Sequence, residues 1–336
     1  MNFGYVAVAL SPGGHIATPE EFSRRITLWE AATGKPLRTL GGDGSQVESV
    51  AFSPDGRRLA VATRDRSIRL WSATTGRLLH RLDGHEGGTY ALAFTPNGRT
   101  LLTGGRDGKV RLWEVFTGSR LGEWAGHGEA VLSLAVTADG RRLASAGADK
   151  VVLLHDLTLR HRARQSAEKP PKPEELDPLW ADLADKDGAK AELALQRLTT
   201  APAAVSFLAR RLESVPEPGA GRLRRLLTDL DARRFAVRQR ALRELEELGP
   251  RVRPTLERIL ANRPSLEVRR RVEDLLETIT EKPLSPDELR AWRAVELLEQ
   301  AGTPEALRQL QRLAAGATAA RQTEAATGAL KRLAGR

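Results

Sequence analysis

The chain has 336 residues and carries 53 Lys and Arg against 43 Asp and Glu, a formal net charge of +10 at pH 7. This length suffices for two domains with cores of their own, and the basic balance allows attraction to nucleic acid, anionic lipid or acidic proteins. The absence of cysteine excludes disulfides, thiolate metal ligands and cysteine catalysis.

The first ten residues are apolar but have no basic leader and no cleavage site. They align with the first strand of a repeat, so we interpret them as folded chain and not as a signal peptide. Apolar runs of the length that a membrane-spanning helix needs, about 18 residues or more, are absent from the sequence. We therefore expect no membrane span. The absence of cysteine does not distinguish the cytoplasm from an exported compartment, and a cytoplasmic location is our expectation.

One spacing recurs through the first half of the chain. Trp29, Trp71 and Trp113 follow one another at a constant interval of 42 residues, and His155 occupies the next position in that series. Within the copy at residues 47–85, four short strands are separated by turns such as S-P-D-G and T-T-G. A period of about 40 to 45 residues with four strands per copy is typical of one blade of a β-propeller.

The copies resemble WD repeats, with G-H at residues 84–85 and 126–127 and a tryptophan near the end of the third strand. The usual W-D pair is W-E in the first and third copies, W-S in the second and H-D in the fourth. The resemblance implies a buried structural tetrad, which is complete in the third copy: His85, Thr103, Asp107 and Trp113. The fourth copy has His155 in place of the tryptophan, and the second has Asp43 and Val61 in two of the four positions.

About four copies span residues 1–158, which predicts a partial or four-bladed WD-type propeller. Known WD propellers more often have seven or eight blades, so we expect that the start of this chain is truncated or misassigned and that further blades precede it in a longer protein. A genuine small propeller and an arc completed by a second copy of the chain stay open as alternatives. Open strand edges would also favour self-association.

A charged, proline-rich linker is predicted at residues 159–173, followed by an α-helical domain at residues 174–336, where the apolar period becomes 3.6. Residues 235–260 resemble a HEAT-type helical hairpin, which implies an α-solenoid. The order of domains resembles that of WD-repeat proteins from planctomycete-type bacteria. The predicted fold class is thus a multidomain β plus α chain.

Motifs for catalysis are absent: the sequence has no phosphate-binding P-loop, H-E-x-x-H, G-x-S-x-G or dinucleotide-binding glycine pattern. Two of the six histidines belong to G-H pairs, one is in a tryptophan position, and the other three, His15, His80 and His161, are isolated. Metal sites need three or four convergent ligands. We therefore expect no catalytic residue, no metal and no cofactor, and predict that the chain is not an enzyme.

The leading hypothesis is a protein–protein interaction scaffold whose propeller loops and helical surface bind partner proteins of unknown identity. Turn residues Arg64, Arg66, Arg106 and Lys109 are plausible contacts, although an arginine beside a turn is usually only solvated. One alternative is the C-terminal part of a larger signalling protein, such as a sigma-factor or kinase fusion. Another is nucleic-acid binding by helical arginines: Arg222, Arg224, Arg225, Arg233, Arg234, Arg238, Arg240, Arg269, Arg270 and Arg271.

Overall fold

The computed structural model describes residues 7–20, 25–41, 45–157 and 170–335. Antiparallel sheets come first and helices follow, which confirms the predicted fold class. The chain forms two compact units: a strand unit made of residues 1–169 and 185–197, and a helical unit made of residues 170–184 and 198–336.

The strand unit contains four sheets, which we call blades 1 to 4. Blade 1 holds β1 (Ala9–Leu10), β2 (His15–Pro19), β3 (Ile26–Glu30) and β4 (Pro36–Leu40), and blade 2 holds β5 (Val47–Phe52), β6 (Arg58–Thr63), β7 (Ser67–Ser72) and β8 (Leu78–Asp83). Blade 3 holds β9 (Thr89–Phe94), β10 (Thr100–Gly105), β11 (Lys109–Glu114) and β12 (Arg120–Ala125), and blade 4 holds β13 (Val131–Val136), β14 (Arg142–Gly147) and β15 (Val152–Asp156). Each sheet is an antiparallel meander.

Successive blades stack face to face. The first strands of neighbouring blades lie next to each other, so β1, β5, β9 and β13 form the inner edge of the stack. A separate apolar core fills each of the three gaps between blades. In the middle gap, Ile68 and Leu70 of blade 2 pack with Leu101 and Trp113 of blade 3. Because side chains alternate along a strand, every blade contributes one set of residues to each neighbour.

The predicted linker falls largely outside the described residues, which resume at residue 170. The division into units also differs from the predicted boundary, because residues 185–197 group with the blades. The hydroxyl of Ser119 donates to the carbonyl of Lys186 at 3.1 Å, and Gly188 lies against the side chains of Ser119 and Leu121. The sequence before residue 198 is helical in pattern, so periodicity could not assign it to the blades.

The helices begin after a 3-10 turn at Pro173–Glu175. They are α1 (Leu176–Asp182), α2 (Gly188–Thr200), α3 (Ala204–Arg211), α4 (Ala220–Asp229), α5 (Phe235–Leu248), α6 (Arg253–Ala261), α7 (Leu266–Glu281), α8 (Pro286–Ala301), α9 (Pro304–Ala314) and α10 (Arg321–Ala334). Sequence signals explain their ends: Ser285 caps α8 in a reciprocal pair with Glu288, and Gly302 ends it in the left-handed conformation, φ 59°.

The predicted HEAT-type hairpin at residues 235–260 corresponds to α5 and α6, joined by the 3-10 turn Gly249–Val252. The closest helix pairs in this region are instead α4 with α5 and α6 with α7, and α5 also packs on α7. One apolar core unites all four helices. Three later helices of the unit, α8, α9 and α10, pack on one another, and α3 packs against α8 and α9. In the part of the chain that the structure describes, no helix is long and apolar enough to cross a membrane.

Candidate functional site

The structure brings the four predicted tetrad residues of blade 3 together. His85 Nδ1 lies 2.7 Å from a carboxylate oxygen of Asp107, and His85 Nε2 lies 2.8 Å from the hydroxyl oxygen of Thr103. The indole N–H of Trp113 donates to the same hydroxyl oxygen at 3.1 Å. The side chains of His85, Thr103 and Trp113 are all buried.

The hydrogen-bond pattern fixes the tautomer of His85. A carboxylate only accepts, so Nδ1 carries the proton and donates to Asp107. Nε2 is then an acceptor for the Thr103 hydroxyl, whose oxygen in turn accepts the Trp113 N–H. Burial lowers the pKa of His85, and this outweighs the attraction of Asp107. The tetrad therefore holds a neutral imidazole and ties the turn after β10 to the loop before β9.

A fifth member of this network was missed at the level of sequence. Arg111 pairs with the second oxygen of Asp107 at 3.0 Å and donates to the carbonyl of Gly84 at 2.6 Å. Arg69 makes the corresponding ion pair with Asp65 in blade 2, at 2.6 Å. The constant interval of 42 residues between Arg69 and Arg111 was the signal that could have identified them.

Blade 4 rebuilds the tetrad with His155. His127 Nδ1 bonds to Asp149 at 3.1 Å, and His127 Nε2 lies 2.9 Å from the hydroxyl oxygen of Ser145. His155 Nε2 lies 3.0 Å from the same oxygen. Ser145 has one proton, which it donates to His127, so His155 must donate its Nε2–H as tryptophan would. The His155 ring stacks on Trp124 of blade 3, with 4.9 Å between centroids.

Asp43, which takes the histidine position of blade 2, lies outside the described residues, and the described part of this blade forms a different network. The hydroxyl of Thr63 donates to Asp65 at 2.6 Å, and Ser67 donates to the same carboxylate at 2.8 Å. These hydrogen bonds hold the pKa of Asp65 well below its usual range despite the opposing effect of burial. Thr63 occupies the position of Gly105 in blade 3, where a Cβ atom would lie 2.1 Å from the His85 ring. The glycine is thus required by the histidine, and a threonine fits where the motif histidine is replaced.

The tetrads resemble a catalytic triad only in their atom types. Asp149, His127 and Ser145 are connected in the order that activates a nucleophile, but Ser145 is fully buried, as is Thr103. Both hydroxyl oxygens already bond to a second donor, His155 or Trp113. The arrangement can hold turns in place, because its hydrogen bonds connect the loop before the first strand of each blade to the turn after the second strand. Among the described residues, no His, Asp and Glu cluster has the grouping that a metal ion requires.

One end of the blades presents the turns that these networks fix. The backbone N–H of Arg64 donates to the carbonyl of Gln46, that of Arg106 to Gly88, and that of Ala148 to Ala130, at 2.8 to 3.0 Å. Each bond joins the turn between the second and third strands to the start of the first strand. We call this end of blades 2 to 4 the turn rim.

The predicted contact residues differ in their surroundings. Arg64, Arg66 and Arg106 are exposed on the turn rim, and Arg64 bonds to the side chain of Gln46 at 2.9 Å. Lys109 is instead paired with Glu123 at 3.0 Å. Between blades 2 and 3, burial raises the pKa of the Glu48 carboxyl against the opposing effects of Arg64 and a bond from the Thr89 N–H.

The helical arginines fall into two groups. Arg222 and Arg240 share Glu244, Arg238 donates to the carbonyls of Ala232 and Arg233, and Arg271 donates to the carbonyl of Leu230. The others are exposed and make no ion pair or side-chain hydrogen bond among the described residues: Arg224, Arg225, Arg233, Arg234, Arg269 and Arg270. The bond from Arg271 to Leu230 brings the first turns of α7 to the α4–α5 turn, so four of these arginines lie at one end.

A cavity of about 440 Å³ lies in the helical unit, between the end of α5 and the starts of α8 and α10. Its lining carries charges of both signs, with Glu247, Asp287 and Glu288 against Arg251, Lys282 and Arg321. Such a mixture favours no one sign of ligand charge, so the cavity does not indicate a binding site.

Three segments of the chain match the family model described as "WD domain, G-beta repeat": residues 34–72, 76–114 and 118–156. Each match begins with the outer strand of one blade and continues through three strands of the next, so one sequence repeat links two blades. No curated protein matched the chain in the search. Blade 1 apart from β4 lies outside the matches, although it follows the same strand order. The three matches within residues 34–156 support a WD-repeat family for this part of the chain.

Proposed function

We propose that this protein is a non-enzymatic protein–protein interaction scaffold, and that the turn rim of the strand unit is its contact surface for a partner. WD repeats generally mediate protein–protein interaction, which supports this class of function. The observation that carries the proposal is the coupling of exposed turn residues to buried hydrogen-bond networks. Arg106 is exposed, while the next residue, Asp107, is held by His85 and Arg111.

This coupling gives the rim the property that a binding surface needs. The backbone of each turn is fixed by buried side chains, so the turn loses little conformational entropy when it binds a partner. The exposed residue at this position is not the same in every blade: it is an arginine in blades 2 and 3, Arg64 and Arg106, and Ala148 in blade 4. A fixed frame with variable contacts is how repeat proteins obtain specificity.

The test is photo-crosslinking of partners to the full chain in lysate from the source organism, with a benzophenone amino acid at Arg66. We expect one or a few proteins to be crosslinked, and we expect the variant Arg64→Glu with Arg106→Glu to lose at least about 90% of that signal, about a tenfold loss.

The matched control is Lys35→Glu with Arg141→Glu, which makes the same charge change at the opposite end of the blades, where both side chains are exposed. It should retain the crosslinks. Equal losses in both variants would show that the signal reflects net charge and would contradict a specific role for the rim.

A second candidate is binding of a nucleic acid by the helical unit. The unpaired Arg233, Arg234, Arg269 and Arg270 at one end favour it. Asp229, Asp231 and Glu267 lie in the same turns and reduce the positive potential. Phe235 is the exposed aromatic residue beside them, so a single ring is present on which a base could stack. We therefore rank it below the scaffold.

Finer assignments extend the same proposal. We propose a HEAT-like stacking for α4 to α7, supported by the shared core of the two helix pairs. The order of domains supports a bacterial, planctomycete-type origin and, as an alternative role, membership in a larger signalling fusion. A cytoplasmic location stays a proposal.

A further inference from the structure

Exposed apolar side chains in the strand unit concentrate on its first and last blades. In blade 4, Val152 and Leu154 are 63% and 72% exposed, and in blade 1, Val8 and Leu10 are 59% and 67% exposed. These exposures are unusual for β-strand residues of this size, which normally lie in a core. All four belong to strands or to the residue just before one, so a sheet face and not a loop is uncovered.

The internal repeat shows what these faces are. We call the side that a blade turns toward the preceding blade its front face, and the opposite side its back face. Val152 and Leu154 occupy the back face of blade 4 at the positions of Val110 and Leu112 in blade 3. Those two residues are 1% and 2% exposed, because blade 4 covers them.

Blade 1 shows the complementary case. Val8 and Leu10 lie on its front face at the positions of Val50 and Phe52 in blade 2, which pack against the back face of blade 1. The partly exposed Ile16 pairs with Trp29 across the same sheet. The equivalent cross-strand pair in blade 2 is Leu59 with Trp71, and both of these residues contribute to that core.

The chain thus carries both halves of an interface that it uses three times internally. We propose that the back face of blade 4 binds the front face of blade 1 of a second copy of this chain, in a head-to-tail assembly. The occupant is a second copy because this chain supplies the matching face, with the same apolar positions and blade order. Two such contacts close a dimer if the rotation allows, and otherwise the contact continues into longer assemblies.

The two faces fit chemically as well as by position. The back face of blade 4 combines the large Val152 and Leu154 with the small Ala144 and Ala146 of the neighbouring strand. The back face of blade 2 has the same combination, Ile68 and Leu70 with Ala60 and Ala62. Leu101 and Trp113 of blade 3 pack against that face. Ile16 and Trp29 supply the same two positions in blade 1.

The experiment measures the mass of the full chain in solution by light scattering, at concentrations from about 1 to 100 µM, a range in which moderate affinities appear. We expect a dimer or larger assembly. Val152→Asp with Leu154→Asp, and separately Val8→Asp with Leu10→Asp, should each raise the dissociation constant at least about tenfold. These side chains are exposed in the monomer, so circular dichroism should show that both variants stay folded.

Mixing the two variants separates head-to-tail contact from other modes. The first variant keeps an intact front face and the second an intact back face, so the mixture should form a dimer that neither forms alone. The control Phe235→Asp with Leu266→Asp changes two exposed apolar residues of the helical unit and should leave the mass of the assembly unchanged.

A crosslinking measurement does not depend on the aspartate variants. The chain has no cysteine, so Leu10→Cys and Leu154→Cys in one chain provide the only thiols, and a short bismaleimide should join two copies covalently.

A monomer at every concentration would overturn the proposal. A loss of assembly in only one of the two aspartate variants, or a mixture of the two variants that stays monomeric, would also overturn it. A monomer that instead assembles with additional blades of the same type would assign both faces to a longer chain.

Discussion

Blades 3 and 4 are the same repeat, 42 residues apart, with different surroundings. In both, a histidine links an aspartate to a hydroxyl that accepts one further N–H, from Trp113 in blade 3 and from His155 in blade 4. Blade 3 is covered on both faces, whereas the back face of blade 4 is exposed. The hydrogen-bond network of a blade is therefore a property of its own sequence, whereas its burial depends on the neighbouring blades.

The largest loss of stability is expected from a substitution that disrupts the hydrogen-bond network of blade 3 by steric overlap. In Gly105→Ala the new Cβ would lie 2.1 Å from His85 Cγ, and we expect a loss of more than about 3 kcal/mol of local stability. Gly147→Ala meets His127 Nδ1 at 2.5 Å in the less covered blade, so it should cost about 1 to 3 kcal/mol. Native-state hydrogen exchange of the β10 and β14 amides in the full chain measures each loss.

Gly122→Ala is the matched control for these substitutions, because a Cβ at Gly122 has no atom within 4 Å. It should change the exchange of β10 by less than about 0.5 kcal/mol. An equal loss in Gly105→Ala and Gly122→Ala would contradict the explanation that the histidine ring demands a glycine.

A smaller loss of stability is expected when a substitution removes the hydroxyl at the centre of each tetrad. Thr103→Val leaves the Nε2 atom of His85 and the N–H of Trp113 without partners in a buried site, and should cost about 2 to 3 kcal/mol in the exchange of β10. Ser145→Ala should cost less, about 1 to 2 kcal/mol in β14, because the buried His127 also loses its partner but His155 is only half-buried and can reach water.

The isosteric control is Thr39→Val, an exposed threonine on β4, which should be neutral. A cost for Ser145→Ala equal to that of Thr103→Val would mean that burial does not set the difference between the two blades.

The smallest expected effect is a pH dependence of stability. Burial lowers the pKa of His85 and of His155 from the ordinary value of 6.5, and the charge of His127 adds to the effect at His155. The folded chain therefore binds fewer protons than the unfolded chain below pH 6.5, so stability is complete above that pH and falls as the pH is lowered through it.

His155→Trp should keep the N–H bond to Ser145 and remove one of these titrating groups. Hydrogen exchange of β14, corrected for the intrinsic rate at each pH, should then lose part of its pH dependence between pH 7.5 and 5.5, while that of β10 is unchanged. A steeper dependence in the variant would contradict the sign of the His155 contribution.

Much of the fold followed from local patterns. Turns such as S-P-D-G and the alternation of side chains predict the strands of blades 1 to 4, because both signals act within a few residues. The repeat of Trp29, Trp71 and Trp113 placed equivalent residues in register. In the helical unit, Ser285 before Pro286 and Gly302 after Ala301 mark the ends of α8 in the same local way.

The amino-acid sequence was sufficient to predict the blade, with its strand order and the grouping of His85, Thr103, Asp107 and Trp113. The tertiary structure alone decided which blades are covered, since Leu154 and Leu112 hold the same place in the repeat but differ in exposure, 72% against 2%. It also decided the use of Arg111, the donor role of His155 and the pairing of α4 with α5. The physical reason is that strand formation and turn geometry depend on neighbours in the chain, whereas burial and hydrogen-bond partners depend on neighbours in space.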